Sequence, residues 1–155
     1  MGLDMYLNAK KHIAGGFSSR TVSNQKSFEA VAKAVGLTKK DIDNETSVDV
    51  SFNVCYWRKA NPIHDWFVTN CQDGEDDCEK YMVSRESLEK LRSLCQEVLK
   101  TGLTSKLPTK AGFFFGSVNY DDCYRDDLKD TIGQLSSILD NPKFDNWQFC
   151  YQSSW

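Results

Sequence analysis

The run from Thr46 to Arg58 constrains the fold more than any other stretch of the chain. Val48, Val50, Phe52, Val54 and Tyr56 alternate with Ser47, Asp49, Ser51, Asn53 and Cys55. A period of two sends one set to each face of an extended chain, so this run predicts a strand with one apolar and one polar face. Such alternation suits an antiparallel sheet whose apolar face is packed on helices. The pattern expects the even-numbered residues to face the core, and it places Trp57 on the polar face, which marks either a strand that twists at its end or an aromatic platform beside a site.

Past this strand, Asn61-Pro62 reads as a helix start, with Asn61 as N-cap and Pro62 at the first helical position. Ile63, Trp66 and Phe67 would point inward. Upstream, Leu3 to Leu7 is a short β-compatible run, and Gly15-Gly16 with Ser18-Ser19 reads as a loop. A helix from Ser23 would align Phe28, Val31, Ala32 and Val35 and end at Gly36. The segment Phe28 to Thr38 also has the outline of a helix-turn-helix. Its second helix would turn Asp41, Asp43, Asn44 and Glu45 toward DNA phosphates, so repulsion favours an amphipathic helix followed by a short acidic turn.

Downstream, Tyr81-Met82-Val83 predicts a short strand. Ser84 caps a helix striped by Leu88, Leu91, Leu94, Cys95, Val98 and Leu99. Gly112-Phe113-Phe114-Phe115-Gly116-Ser117 reads as a short buried strand closed by a turn. Asp121 or Asp122 opens a last helix that aligns Tyr124, Leu128, Thr131, Ile132, Leu135 and Leu139. Trp147, Phe149, Tyr151 and Trp155 alternate with polar residues and Cys150 as a final strand. The fold expected is α+β, one globular domain over residues 1–155, with a mostly antiparallel sheet and helices packed on one face.

Net charge is -3, distributed unevenly. Residues 1–40 hold seven Lys/Arg and two Asp/Glu, a balance of +5, and the remainder holds twelve and twenty, a balance of -8. The acidic bulk argues against nucleic acid as a partner. No apolar run is long enough to span a membrane, and the first residues do not form a secretory signal, so a cytoplasmic protein is expected. The six Cys are scattered with no C-x-x-C pair, which favours reduced thiols.

The stretch Tyr56 to Val68 gathers the candidate chemistry. A helix start at Asn61 offers free N–H groups and the positive end of the dipole to an anion, with Arg58 and Lys59 beside it. Trp57 would stack on a planar ring, and His64 would donate to a phosphate or transfer a proton. Gly116-Ser117 would line the same pocket through backbone N–H groups. The structural alternative makes Arg58 and Lys59 solvated charges, has His64 bonded to a backbone carbonyl, and puts the Trp residues in the core. The acidic loop Asp73 to Asp77 lacks the alternation of a calcium loop, and His64, Cys71 and Cys78 lack a fourth ligand for zinc. No metal or cofactor is expected, and no second catalytic group can be named beside His64.

The segments Met1-Gly-Leu-Asp-Met-Tyr-Leu7, Tyr56-Trp-Arg-Lys-Ala-Asn61, Ile63-His64, Trp66-Phe67-Val68 and Gly112-Phe-Phe-Phe-Gly-Ser117 together resemble a family of small phage and prophage proteins of uncharacterised function. The resemblance covers most of the chain outside roughly residues 8–45. It implies a phage or prophage origin and action in the bacterial cytoplasm. Chains of this kind are sometimes labelled phosphoglycerate kinase, but this one is too short for two nucleotide-binding lobes and has no phosphate-cradling glycine loop. The leading expectation is a non-catalytic binding protein. It would hold a small anionic, nucleotide-like ligand at Trp57, Arg58, Lys59, Asn61, His64, Gly116 and Ser117, and so sequester a bacterial immune signal. The alternatives are a module that inhibits a host bacterial protein, with homo-oligomerisation compatible, and a small hydrolase or nuclease using His64.

Overall fold

The computed structural model describes residues 2–15, 22–38, 40–42 and 46–155, with Val22 and Ser23 described by backbone alone. Among these residues the order is β1 (Asp4–Ala14), α1 (Val22–Ala34), β2 (Ser47–Arg58), α2 (Asn61–Cys71), β3 (Tyr81–Val83), α3 (Arg85–Thr101), α4 (Asp122–Leu139) and β4 (Gln148–Ser154), with single 3-10 turns at Thr104–Lys106 and Pro142–Phe144. The expected loop at Gly16 to Ser19 and residues 43–45 of the expected acidic turn lie outside the described residues. The strands form one antiparallel sheet in the order β2-β1-β4-β3, and the fold is α+β.

The chain divides into two compact units, Met1–Ala9 with Phe52–Trp155, and Lys10–Ser51. In the larger unit the core joins Leu3, Met5, Leu7 and Ala9 to Val83, Phe149 and Tyr151 of the other strands. Helices α2, α3 and α4 supply Ile63, Phe67, Leu88, Leu91, Cys95, Leu128 and Leu135. The Phe67 and Tyr151 rings stack with centroids 4.1 Å apart. β3 pairs with β4 in the register Tyr81–Tyr151 and Val83–Phe149, which puts these four residues on one face.

The caps follow residue chemistry. Ser84 accepts the Ser87 N–H at the start of α3, and Asp121 accepts the Tyr124 N–H at the start of α4. Gly102 closes α3 at φ 72°, with its N–H on the Val98 carbonyl. In the smaller unit α1 ends the same way. The Gly36 N–H reaches the Lys33 carbonyl and the Leu37 N–H reaches that of Ala32, with Gly36 at φ 83°. Gly15 ends β1 with its N–H 2.9 Å from the Thr46 carbonyl. A Cβ there would lie 2.2 Å from that oxygen, so no larger residue fits.

Two expectations fail here. In β2 the inward residues near the end of the strand are Cys55 and Trp57, both buried, whereas Phe52 and Tyr56 are exposed. Val54 is half-buried and still packs against this core, so the inward face changes parity at the end of the strand, between Val54 and Cys55. The cause is local. Gln134 of α4 accepts the Tyr56 N–H at 2.7 Å and donates to the Tyr56 carbonyl at 2.8 Å. This amide pair holds the end of the outermost strand against α4, with Cys55 and Trp57 on either side of it turned inward. Second, residues 112–117 form a turn, not a strand. Phe113 is 96% exposed, while Phe115 is buried and the Phe114 carbonyl accepts the Leu3 N–H at 3.0 Å.

Candidate functional site

The junction between β2 and α2 is built on backbone economy. The Lys59 N–H donates to the Leu3 carbonyl at 2.8 Å, which ends the β1–β2 ladder. Lys59 itself turns the chain at φ 58°, a left-handed conformation that costs a residue with a Cβ about 1 kcal/mol. The Lys59 carbonyl accepts the Asn61 N–H, and the Ala60 carbonyl accepts those of Ile63 and His64. Pro62 has no N–H to give. The first-turn amides are thus already satisfied, and the expectation of free N–H groups for an anion does not hold. Any anion here must be held by side chains.

Ala60, not Asn61, occupies the capping position, with no side-chain cap. Asn61 is 2% exposed and does something else. Its Nδ2 donates to the carbonyls of Phe115 (3.1 Å) and Ser117 (2.7 Å), and its Oδ1 accepts the Lys110 N–H at 2.8 Å. One amide therefore clamps the long α3–α4 connection, residues 102–121, against the start of α2. Gly116, at φ 89°, passes so close that a Cβ would lie 3.1 Å from that of Lys59. Both its conformation and its neighbour call for glycine.

This clamp shapes a cleft of about 220 Å³. Arg58, Lys59, Asn61, Gly116 and Ser117 line it, so five of the seven expected site residues converge. The opposite wall comes from Thr109, Asn119 and the first turns of α4, where Asp121, Cys123, Tyr124 and Asp127 face the same space. Arg58 is exposed, with its guanidinium 3.7 Å from the Asp4 carboxylate. No carboxylate among the described residues pairs with the Lys59 amine. Burial pushes the Asp127 carboxyl up to about 6, and the charges of Asp130, Asp126 and Asp121 push the same way. Neither Arg58 nor Lys59 offsets them.

Trp57 and His64 do not reach the cleft. Trp57 is 2% exposed, its Nε1 donating to Thr131 Oγ1 at 3.0 Å and its ring 6.0 Å from that of Phe67. It offers no face for stacking a ligand. His64 is 1% exposed and has both ring nitrogens engaged, Nδ1 at 2.8 Å from the Tyr151 hydroxyl and Nε2 at 3.1 Å from Asp76 Oδ2. The Phe115 ring meets it edge-on at 4.9 Å. Burial, more than the nearby Asp76, holds the Tyr151 hydroxyl well above the usual phenol range. Asp76 also accepts the Trp155 Nε1–H at 3.1 Å. The acidic loop thus sends one carboxylate into a buried network instead of leaving all of them to solvent.

Sequence reasoning missed Thr109, Asn119, Asp121 and Asp127 as cleft residues. For Trp57 the signal was weak: the buried Thr131 hydroxyl that accepts its Nε1–H also donates to the Asp127 carbonyl one turn back, a partner any helical Thr finds within its own helix. No such signal ties His64 to Asp76 and Tyr151, which are remote in sequence. Among the described residues no group of three His, Cys, Asp or Glu converges as a metal site, and no helix is long and apolar enough to cross a membrane. Compared with protein-family models, curated proteins and solved structures, the chain matches none.

Proposed function

We propose that this chain is a binding protein whose cleft at Arg58, Lys59, Asn61, Gly116 and Ser117 holds a small anionic ligand. The observation that supports this reading is the position of Lys59. It is a cation with no carboxylate partner among the described residues, held in a strained backbone conformation at the mouth of a preformed cleft. The cleft is smaller than the 300–1,000 Å³ of sites that enclose a drug-sized molecule, so a nucleotide-like ligand would insert only its phosphate-bearing end. With the phage origin that the resemblance implies, binding of this kind would withdraw a signalling anion from the host cell.

The test is native mass spectrometry of the protein with inorganic phosphate, sulfonates and a nucleotide panel, beside Arg58→Ala. A retained anion whose affinity falls roughly ten- to hundredfold in the variant is expected, the worth of one charge-assisted hydrogen bond. An apo mass throughout would overturn the reading. A second reading, a module that binds a host protein, draws on the α3–α4 connection, where Leu103, Phe113, Val118 and Tyr120 are all exposed. Such surface on a long loop is a feature of recognition segments. Its test is pull-down from bacterial extract with Phe113→Ser as the control that must lose the partner.

A further inference from the structure

The cleft carries charge of both signs, and a ligand that is only anionic answers half of it. Arg58 and Lys59 stand on the wall formed by the end of β2, while Asp121 and Asp127 stand on the wall formed by α4. Asp121 spends one carboxylate oxygen on the Tyr124 N–H at its helix start. Asp127 has no hydrogen-bond or ion-pair partner for its carboxylate among the described residues. The groups that face it are Asp121, Asp126 and Asp130 from its own helix, with Arg58 and Lys59 lining the same cleft from β2. Cys123 and Tyr124 complete the lining of this wall. A half-buried carboxylate surrounded by like charges and left unpaired lacks a cation. No basic residue of the described chain supplies one.

We propose that the ligand of this cleft is a compact zwitterion, with its anionic group held by Arg58 and Lys59 and a cationic ammonium- or guanidinium-type group paired with Asp127. The inference rests on the binding function proposed above and narrows it from small anions in general to molecules bearing both charges. The small volume agrees with that narrowing, because both ends of the ligand must fit within about 220 Å³. Asn61 and Gly116 hold the two walls in register without contributing charge.

The sign of a pH dependence separates the two cases. A cationic group binds the carboxylate form of Asp127, so affinity rises as pH increases through about 6, where that carboxyl titrates. An anion alone prefers a neutral Asp127, so its affinity falls over the same interval. Ethanesulfonate and 2-aminoethanesulfonate are matched probes: the sulfonate stays ionised throughout and the second compound adds only an ammonium group.

Calorimetric titration of the whole protein with both compounds at pH 5 and pH 7.5 is the experiment. The zwitterion should bind at least roughly tenfold tighter than ethanesulfonate at the higher pH, and tighter there than at the lower. Asp127→Asn should remove both differences. Equal or better binding of ethanesulfonate, strengthening toward pH 5 and still lost in Arg58→Ala, overturns the zwitterion and leaves the anion site standing. Failure of both compounds to bind in an Arg58-dependent way overturns both proposals.

Discussion

Replacing Asn61 by alanine should uncouple the α3–α4 connection from the start of α2. Three hydrogen bonds disappear together, to the carbonyls of Phe115 and Ser117 and from the Lys110 N–H. Each is worth about 1 kcal/mol net, with the higher cost wherever a partner stays buried and unpaired. The Phe115 carbonyl belongs to a buried residue and falls at the upper end of that range, while Ser117 and Lys110 are exposed residues whose groups can turn to water. The sum is about 3 kcal/mol, a large part of the 5–15 kcal/mol that holds a typical domain together. Urea unfolding should show that loss as a lower midpoint at an unchanged slope, and the Lys110 amide should exchange its hydrogen faster in the folded protein. Asn61→Asp should be no better, since it sets a carboxylate oxygen against two carbonyls that need a donor. A loss below about 1 kcal/mol in Asn61→Ala, with Lys110 still protected, would refute the claim that this amide holds the loop.

Three further outcomes follow from the same geometry. Burial holds the Asp127 carboxyl at about 6 in the folded chain against 3.8 when free, so the folded state keeps its proton longer and the contribution of Asp127 to native stability declines as pH rises between those values. Asp127→Asn should therefore gain over the parent above pH 6, by about 1 kcal/mol once water screening of this half-buried group is discounted, and the gain should vanish below pH 4. Cys123 is exposed, whereas burial pushes the thiols of Cys55 and Cys95 up to about 12. Alkylation at pH 8 followed by peptide mass analysis should mark Cys123 first and the other two only in denaturant. Lys59→Gly exchanges relief of left-handed strain for the entropy of glycine, two terms of about 1 kcal/mol each. Thermal unfolding should barely move, while anion binding falls as it does in Arg58→Ala.

Much of the scaffold was legible because short-range chemistry dictates it. Ser84, Asp121 and Gly36 mark helix ends by what their own atoms can bond or what φ they can adopt, and the stripes of α3 and α4 follow from helical period alone. Five cleft residues were also legible, since Arg58, Lys59 and Asn61 adjoin in sequence and Gly116-Ser117 carries the look of a backbone-lined pocket. Facing direction was not. Alternation in β2 distinguishes two faces without showing that the inward face changes after Val54, where the amide of Gln134, distant in sequence, takes both backbone groups of Tyr56. Asn61 misled for a similar reason: its residue type suits a cap, but three backbone groups from residues 110–117 compete for the same amide and win. His64 sits in a helix read as one edge of a site, yet its partners Asp76 and Tyr151 arrive from a loop and from the last strand. Nothing local encodes that meeting.

The amide of Gln134 has a consequence for self-association. β2 is the outermost strand, and such edges offer unpaired N–H and C=O groups to any passing chain. At Tyr56 both groups are already occupied, next to exposed Phe52 and Tyr56 side chains that would otherwise make this edge adhesive. One helical side chain thus blocks strand addition at this point of the edge. Where molecules crowd together, the Gln134 amide leaves the outer edge of β2 one fewer docking point for a neighbouring strand.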